Sequence, residues 1–193
     1  MIPTDEAVLI LLAAGQSRRF GRDKLAEPFL GRPIGLHAVS ALEQMPFLGR
    51  IAVVSETTLD YAARGYRVIA NEFPEDGMSG SVKLGLVAAL AMDARAVVIA
   101  LADMPRVTAT HIRRLLDSAD GADTVVASSD GRRPMPPAVF GRGRFETLLA
   151  LEGSAGARDL VRGGRHVVAS PAELIDIDTP QDLEQLRAMF PGK

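Results

Sequence analysis

Ala7-Val8-Leu9-Ile10-Leu11-Leu12-Ala13 is apolar without interruption. A strand with one wet face alternates apolar and polar residues. A run this uniform demands cover on both faces, as in a parallel sheet sandwiched between helices. Comparable runs recur at Arg50–Ser55, Arg67–Ala70, Ala96–Leu101, Thr124–Ser128 and Ala138–Phe140. Segments with helical patterning lie between or after them: Pro33–Glu43, Thr58–Arg64, Ser79–Met92, Ala109–Ser118, Arg144–Leu151 and Ala155–Arg162. Two helix starts are chemically signalled. Thr108 can cap the segment that follows it, and Thr179-Pro180-Gln181-Asp182 supplies a cap, an N1 proline and an early acid for a last helix over Pro180–Met189. Strand and helix in alternation predict an open, mostly parallel α/β sheet, and 193 residues suit one domain. Ser129–Pro137, with Gly131, Pro134, Pro136 and Pro137, predicts an inserted loop or a change of strand direction.

Composition narrows the function classes. Charge is nearly balanced, 22 Lys and Arg against 24 Asp and Glu, so no global field argues for nucleic acid or a membrane surface. The absence of Cys removes thiol catalysis, disulfides and thiolate metal sites together. No apolar stretch is long enough to span a bilayer, and the N-terminus meets Asp5-Glu6 before its first apolar run, unlike a secretory signal. A cytoplasmic protein is expected.

Against that balance, cations clustered in one loop carry weight. After the first strand the chain reads Ala14-Gly15-Gln16-Ser17-Arg18-Arg19-Phe20-Gly21-Arg22-Asp23-Lys24. Glycines let backbone N–H groups approach phosphate oxygens, and the cations offset their charge. The spacing of Gly15, Gly21 and Lys24 fits neither Walker A nor the dinucleotide fingerprint. Open α/β sheets bind ligands at the carboxyl ends of their strands, which brings other segments to the same edge. Leu101-Ala102-Asp103-Met104-Pro105 follows the fourth long run, and Asp176-Ile177-Asp178 precedes the last helix, where a short terminal strand could end. An aspartate at a strand end beside phosphates suits Mg²⁺, which completes its shell with water and phosphate oxygens. Asp103 equally suits a residue that opens the Met104-Pro105 turn, and Asp178 a residue of the helix cap. Gly77-Met78-Ser79-Gly80-Ser81 is a second glycine-rich loop opening a helix, with Ser79 or Ser81 as cap and free N–H groups for a base, ribose or phosphate. Arg132 and Arg133 sit in the proline-stiffened stretch, either facing an anionic second substrate or simply solvated. His37, His111 and His166 show no triad spacing and read as structural.

In order, these segments resemble the MobA-like NTP transferases of molybdenum-cofactor maturation, most of all the cytidylyltransferase type. Leu12–Lys24 matches the family's Leu-Ala-Ala-Gly-x-Ser-x-Arg-Met/Phe-Gly-x-x-Lys, and Asp176–Leu183 its Asp-Ile-Asp-Thr-Pro-x-Asp-Leu. Weaker likenesses are Gly77–Ser81, Asp103-Met104-Pro105, Pro137–Phe140 and Leu151–Arg158. The resemblance implies a single Rossmann-like, three-layer α/β domain of the nucleotide-diphospho-sugar transferase type. It implies transfer of CMP from CTP to the phosphate of a molybdopterin-type cofactor, with release of pyrophosphate, Mg²⁺ as cofactor and a molybdenum apo-enzyme as a further partner. By matching position, Arg19 and Lys24 would hold the triphosphate and Asp103 the metal, with Asp178 as a second metal contact. Leu12, Ala13, Ala14, Gly15, Ser17, Gly21, Gly77, Ser79, Gly80 and Ser81 would line the nucleotide site. Ala13-Ala14-Gly15 leans toward CTP, because guanylyl-transferring members show Ala-Gly-Gly there.

The chain departs from the family at Ser79-Gly80, which inverts the usual order, at Ala102, at Ser154 in place of an acid, and at Met135 in place of His or Asn. The last two fall in the half expected to meet the acceptor. Alternatives are a guanylyltransferase, a sugar-phosphate or methylerythritol-phosphate cytidylyltransferase, and a noncatalytic cofactor carrier.

Overall fold

The structure, a computed structural model, describes residues 1–152 and 156–190. Seven strands form one sheet: β1 (Ala7–Ala13), β4 (Gly49–Val54), β5 (Arg67–Ala70), β6 (Ala96–Leu101), β7 (Val125–Ser129), β8 (Pro134–Gly141) and β9 (Arg165–Val168). A small hairpin, β2 (Pro28–Phe29) and β3 (Arg32–Pro33), stands apart from it. The helices are α1 (His37–Leu42), α2 (Met78–Leu90), α3 (Ala109–Ser118), α4 (Phe145–Leu149), α5 (Gly156–Gly163) and α6 (Pro180–Met189). Among the described residues, no helix is long and apolar enough to cross a membrane.

Strand order is β5-β4-β1-β6-β8-β7-β9. β1 pairs in parallel with β4 on one side and β6 on the other, in register Ile10↔Ile51 and Ile10↔Ile99. The chain leaves β1 toward β4 and later returns to its other side as β6. The order therefore reverses at β1, and the carboxyl ends of β1 and β6 open the crevice where such sheets bind ligands.

Every residue of β1 is buried, as a doubly covered strand requires. Leu9, Leu11 and Ala13 face a core shared with Ile112 and Leu115 of α3 and Leu183 of α6. Val8, Ile10 and Leu12 face another, with Val82 and Leu86 of α2 and Leu148 of α4. α2 lies close on the sheet because residue 85 is glycine: a Cβ there would stand 2.5 Å from Ile10 Cγ2.

The stretch read as a loop or change of direction is the latter. β8 runs antiparallel to both β6 and β7, with a register shift at Ala127/Ser128. Its prolines lie where β8 has outrun β6: the β6 pairing extends only to Ala138, and Pro134 and Met135 pair with β7 alone. A strand end with one neighbour tolerates residues that lack an N–H. Three other expectations are corrected. Thr58–Arg64 is not a helix but a single turn, Ala62–Arg64, closed by Gly65 at φ 78°. Asp60 draws the Ala63 N–H locally. No strand forms at 176–178, because the N–H groups of Asp178 and Thr179 are taken by the Asp182 carboxylate in the capping box of α6. Neither Ser79 nor Ser81 caps α2, whose N-cap is Gly77.

His111 on α3 is buried at 1% exposure. The Ser128 hydroxyl donates to the Pro137 carbonyl at 2.7 Å, so it accepts from His111 Nε2–H, also at 2.7 Å. That leaves Nδ1 buried with no partner among the described residues. Burial lowers the His111 pKa; Glu173 opposes this weakly and Arg114 adds to it. The unfolded chain takes up this proton first, so stability falls as pH drops below about 6.5, until the folded imidazole also protonates. Urea unfolding between pH 7.5 and 5.5 checks this, with His111→Leu expected to show a flatter pH dependence than wild type.

Candidate active site

The loop after β1 is shaped by two positive-φ residues, Ser17 (48°) and Gly21 (78°). The Ser17 carbonyl accepts the N–H groups of Phe20 (2.9 Å) and Gly21 (3.0 Å), and its hydroxyl accepts the Lys24 N–H at 3.3 Å. This folded turn buries Phe20 beneath it and leaves Gly15, Arg18 and Arg19 exposed. Asp23 caps a short turn over Lys24–Ala26 by accepting the Leu25 N–H. The chain thus returns Lys24 over the end of β1.

Two backbone hydrogen bonds bring the acidic segments to the same place. Ala102 N–H donates to Leu12 O, and Ile177 N–H donates to Asp103 O, both at 3.0 Å. Asp103 and Asp178, far apart in sequence, therefore meet at the β1/β6 crevice. Lys24 Nζ lies 2.7 Å from Asp103 Oδ2 and 3.2 Å from Asp178 Oδ1, while Arg19 reaches Asp178 Oδ2 at 2.6 Å. Asp103 Oδ1 is buried with no hydrogen-bond partner among the described residues.

Electrostatics at the cluster are opposed. Burial would lower the Lys24 ammonium, but Asp103 and Asp178 together outweigh it and hold its pKa above the ordinary value. Burial raises the Asp103 carboxyl, against the pull of Lys24. Asp103 keeps 20% of its side chain open to solvent and so does not bear the full cost of burial. The distances describe the Lys24 amino group set between the two carboxyl groups.

The second glycine-rich loop stands at the same edge of the sheet. Gly77 turns at φ 88°, and α2 begins directly after it. Ser79 borders a cavity of about 560 Å³. Ser81 lies deeper, its hydroxyl accepting from Asn71 Nδ2 at 2.9 Å. Asn71 was not singled out from the sequence; its signal was a polar residue placed directly after the β5 run and ahead of the Gly/Ser loop. Leu12, Ala13 and Ala14 are buried at the loop's root, so the exposed approach to the backbone begins at Gly15.

The cavity continues from Ser79 across Leu101 and Met104 to Met135 and to Arg133 and Arg158. A second space of about 620 Å³ lies beyond Arg133, Met135 and Leu174, against α6. Leu151, Ala157 and Arg158 of the Leu151–Arg158 motif line the first cavity. Ser154 lies outside the described residues.

With this geometry in view, the likeness to known proteins is informative. Residues 9–170 match the MobA-like NTP transferase domain. The chain is 32% identical to the purine catabolism protein PucB of Bacillus subtilis, covering 92% of this chain and 94% of that protein. It is 32% identical to a molybdenum cofactor guanylyltransferase of Xanthomonas euvesicatoria, covering 92% of each. A solved structure of a homologue of Mycobacterium tuberculosis Rv0371c, from Mycobacterium sp. strain JC1, superposes with a TM-score of 0.80 at 26% identity over 96% of each chain. The convergence of the basic loop with Asp103 and Asp178 and the match over most of the chain agree, and the protein belongs to the MobA-like NTP transferase family of nucleotidyltransferases.

Proposed function

We propose that this nucleotidyltransferase moves CMP from CTP to the phosphate of a molybdopterin-type cofactor, with Mg²⁺ as the metal. The observation that carries the reading is the single cluster of Lys24, Arg19, Asp103 and Asp178 at the crevice, beside a cavity large enough for a second substrate. In the reaction an oxygen of the acceptor phosphate forms a bond to the α-phosphorus of CTP, and the bond from that phosphorus to the β-phosphate bridging oxygen breaks, releasing pyrophosphate. Phosphoryl-type transfer of this kind relies on positioning and charge neutralisation.

The residues fit a divalent ion. Asp103 offers a buried oxygen without a partner, and Asp178 contributes a second carboxylate to the same cation position. A pair of carboxylates suits Mg²⁺, which takes much of its shell from phosphate and water. When bound, Mg²⁺ supplies charge neutralisation on the triphosphate. Lys24 and Arg19 hold the phosphate chain, and the exposed backbone from Gly15 to Arg19, ahead of the N–H groups that Ser17 O already takes, supplies donors to it. Gly77, Ser79 and Gly80 bound the side where the base and ribose lie. Arg133 and Arg158 face the acceptor's phosphate, while Met104, Met135 and Leu174 offer a polarizable apolar wall to its ring system.

The base preference rests on residue 14. Ala14 is buried in the same apolar cluster as Leu12 and Val82, and its β-carbon takes room beside the base that a glycine would leave, which favours the smaller pyrimidine. The relative named as a guanylyltransferase supports the alternative of GMP transfer. A thermal-shift panel of CTP, GTP, ATP and UTP with Mg²⁺ separates the two. At a hundredfold excess over Kd, the preferred nucleotide adds about 2.7 kcal/mol of stability. CTP is expected to give the largest shift; a shift with GTP alone overturns the base assignment.

A further inference from the structure

We propose that, in the nucleotide-free enzyme, Lys24 occupies the divalent-cation position between Asp103 and Asp178, so that metal enters with a triphosphate and not ahead of it. The inference rests on the metal-dependent reading above and adds an order of binding to it.

The Lys24 side chain is 8% exposed and its ammonium contacts both carboxylates at once, at 2.7 and 3.2 Å. Its position is that of an ion shared by two acids, filled by the protein's own cation. Within the cluster each carboxylate already has a cation: Lys24 meets Asp103 and Asp178, and Arg19 meets Asp178, with Asp176 acting on Asp103 from further off. A lone divalent ion would therefore have to displace an ammonium that gains no new partner. Arrival of a triphosphate changes both sides of that balance. Its oxygens offer Lys24 and Arg19 new anionic partners, and the vacated carboxylates then meet a divalent ion instead of facing the phosphates unshielded.

Two further features favour this exchange over a permanent ion pair. Asp103 Oδ1 stays buried and unpartnered with Lys24 in place, so the ammonium satisfies only part of what the carboxylate can accept. The Lys24 backbone is held by Ser17 Oγ and by its short turn, so only the flexible four-carbon stem need swing toward the phosphates. Arg19 is 70% exposed and equally free to turn from Asp178.

Electron paramagnetic resonance of Mn²⁺, with no nucleotide present, tests the inference on purified wild type, Lys24→Met, Lys24→Arg and the double variant Lys24→Met/Asp103→Asn. Lys24→Met is expected to bind Mn²⁺ about tenfold tighter than wild type or better, equivalent to about 1.4 kcal/mol. Lys24→Arg keeps a cation at the position and should stay as weak as wild type, and the double variant should lose the gain. Equal Mn²⁺ affinity in wild type and Lys24→Met, including no binding by either, overturns the proposal. Wild type decides independently if Lys24→Met does not fold: Mn²⁺ binding should tighten about tenfold or more when α,β-methylene CTP or α,β-methylene GTP is added, and affinity unchanged by either contradicts the ordered entry. If Lys24→Met gains Mn²⁺ while no triphosphate analogue binds any variant, the nucleotide reading fails but the occupancy of the cation position stands.

Discussion

Asp103→Asn is expected to lower kcat/KM for nucleotidyl transfer by about 10²–10³, or roughly 2.7–4 kcal/mol of transition-state stabilisation, which is the scale for losing one preorganised electrostatic contact. The amide keeps the size of the side chain but removes the charge that Lys24 meets at 2.7 Å and the anionic oxygen available to a metal. Folding is expected to survive. Lys24 retains Asp178 as a partner, and the Asp103 backbone still holds the Ile177 N–H. Steady-state kinetics with thermal unfolding of the same preparation checks both halves. Near-normal turnover in a folded variant would remove Asp103 from the catalytic machinery.

Gly85→Ala is expected to give one of the largest losses of stability available from a single added methyl group. Its Cβ would meet Ile10 Cγ2 at 2.5 Å, and Ile10 is fully buried on the central strand, with β4 on one side and β6 on the other. Ile10 cannot retreat without moving the sheet, so α2 must rise from it. Overpacking of this kind costs about 1–3 kcal/mol. At this chain length each kcal/mol lowers Tm by about 2–4 °C. The effect should reach function as well, because α2 carries Ser79 to the edge of the cavity. Ile10→Ala removes the opposing atoms, so the double variant should be more stable than the two single losses added together predict. Strict additivity in a double-mutant cycle would show that the helix is not held down by this contact.

What the sequence disclosed followed the strength of local signals. β1 and β6 were legible because a strand covered on both faces has no polar residue to interrupt it. α3 and α6 began where expected because the Thr108 and Thr179 side chains cap them, accepting from the N–H groups of His111 and Asp182. β9 was missed: in Arg165-His166-Val167-Val168 only Val167 is buried, so an edge strand left almost no apolar pattern. The prolines of β8 concealed its first half, since their tolerance depends on how far β6 extends, which is a tertiary fact. At the site, the loop and Asp103 could be assigned to one sheet edge because both follow strands, whereas Asp178 was placed there through a terminal strand that does not form and reaches the edge through the Ile177 N–H on Asp103 O. The Lys24 bridge between those aspartates could not, because it joins residues 79 and 154 positions away. Nor could the pairing of Asn71 with Ser81, which buries a serine read as a helix cap or a nucleotide contact.

The most direct test of the nucleotidyl-transfer account is ³¹P NMR of pyrophosphate formation from CTP and, separately, GTP, with Mg²⁺ and a molybdopterin-type acceptor. The account predicts pyrophosphate from CTP only when acceptor is present, with one equivalent of cytidylylated acceptor formed, and loss of both signals in Asp103→Asn. Binding of nucleotide and acceptor with no pyrophosphate from either triphosphate would contradict it and leave the protein a carrier built on a transferase fold.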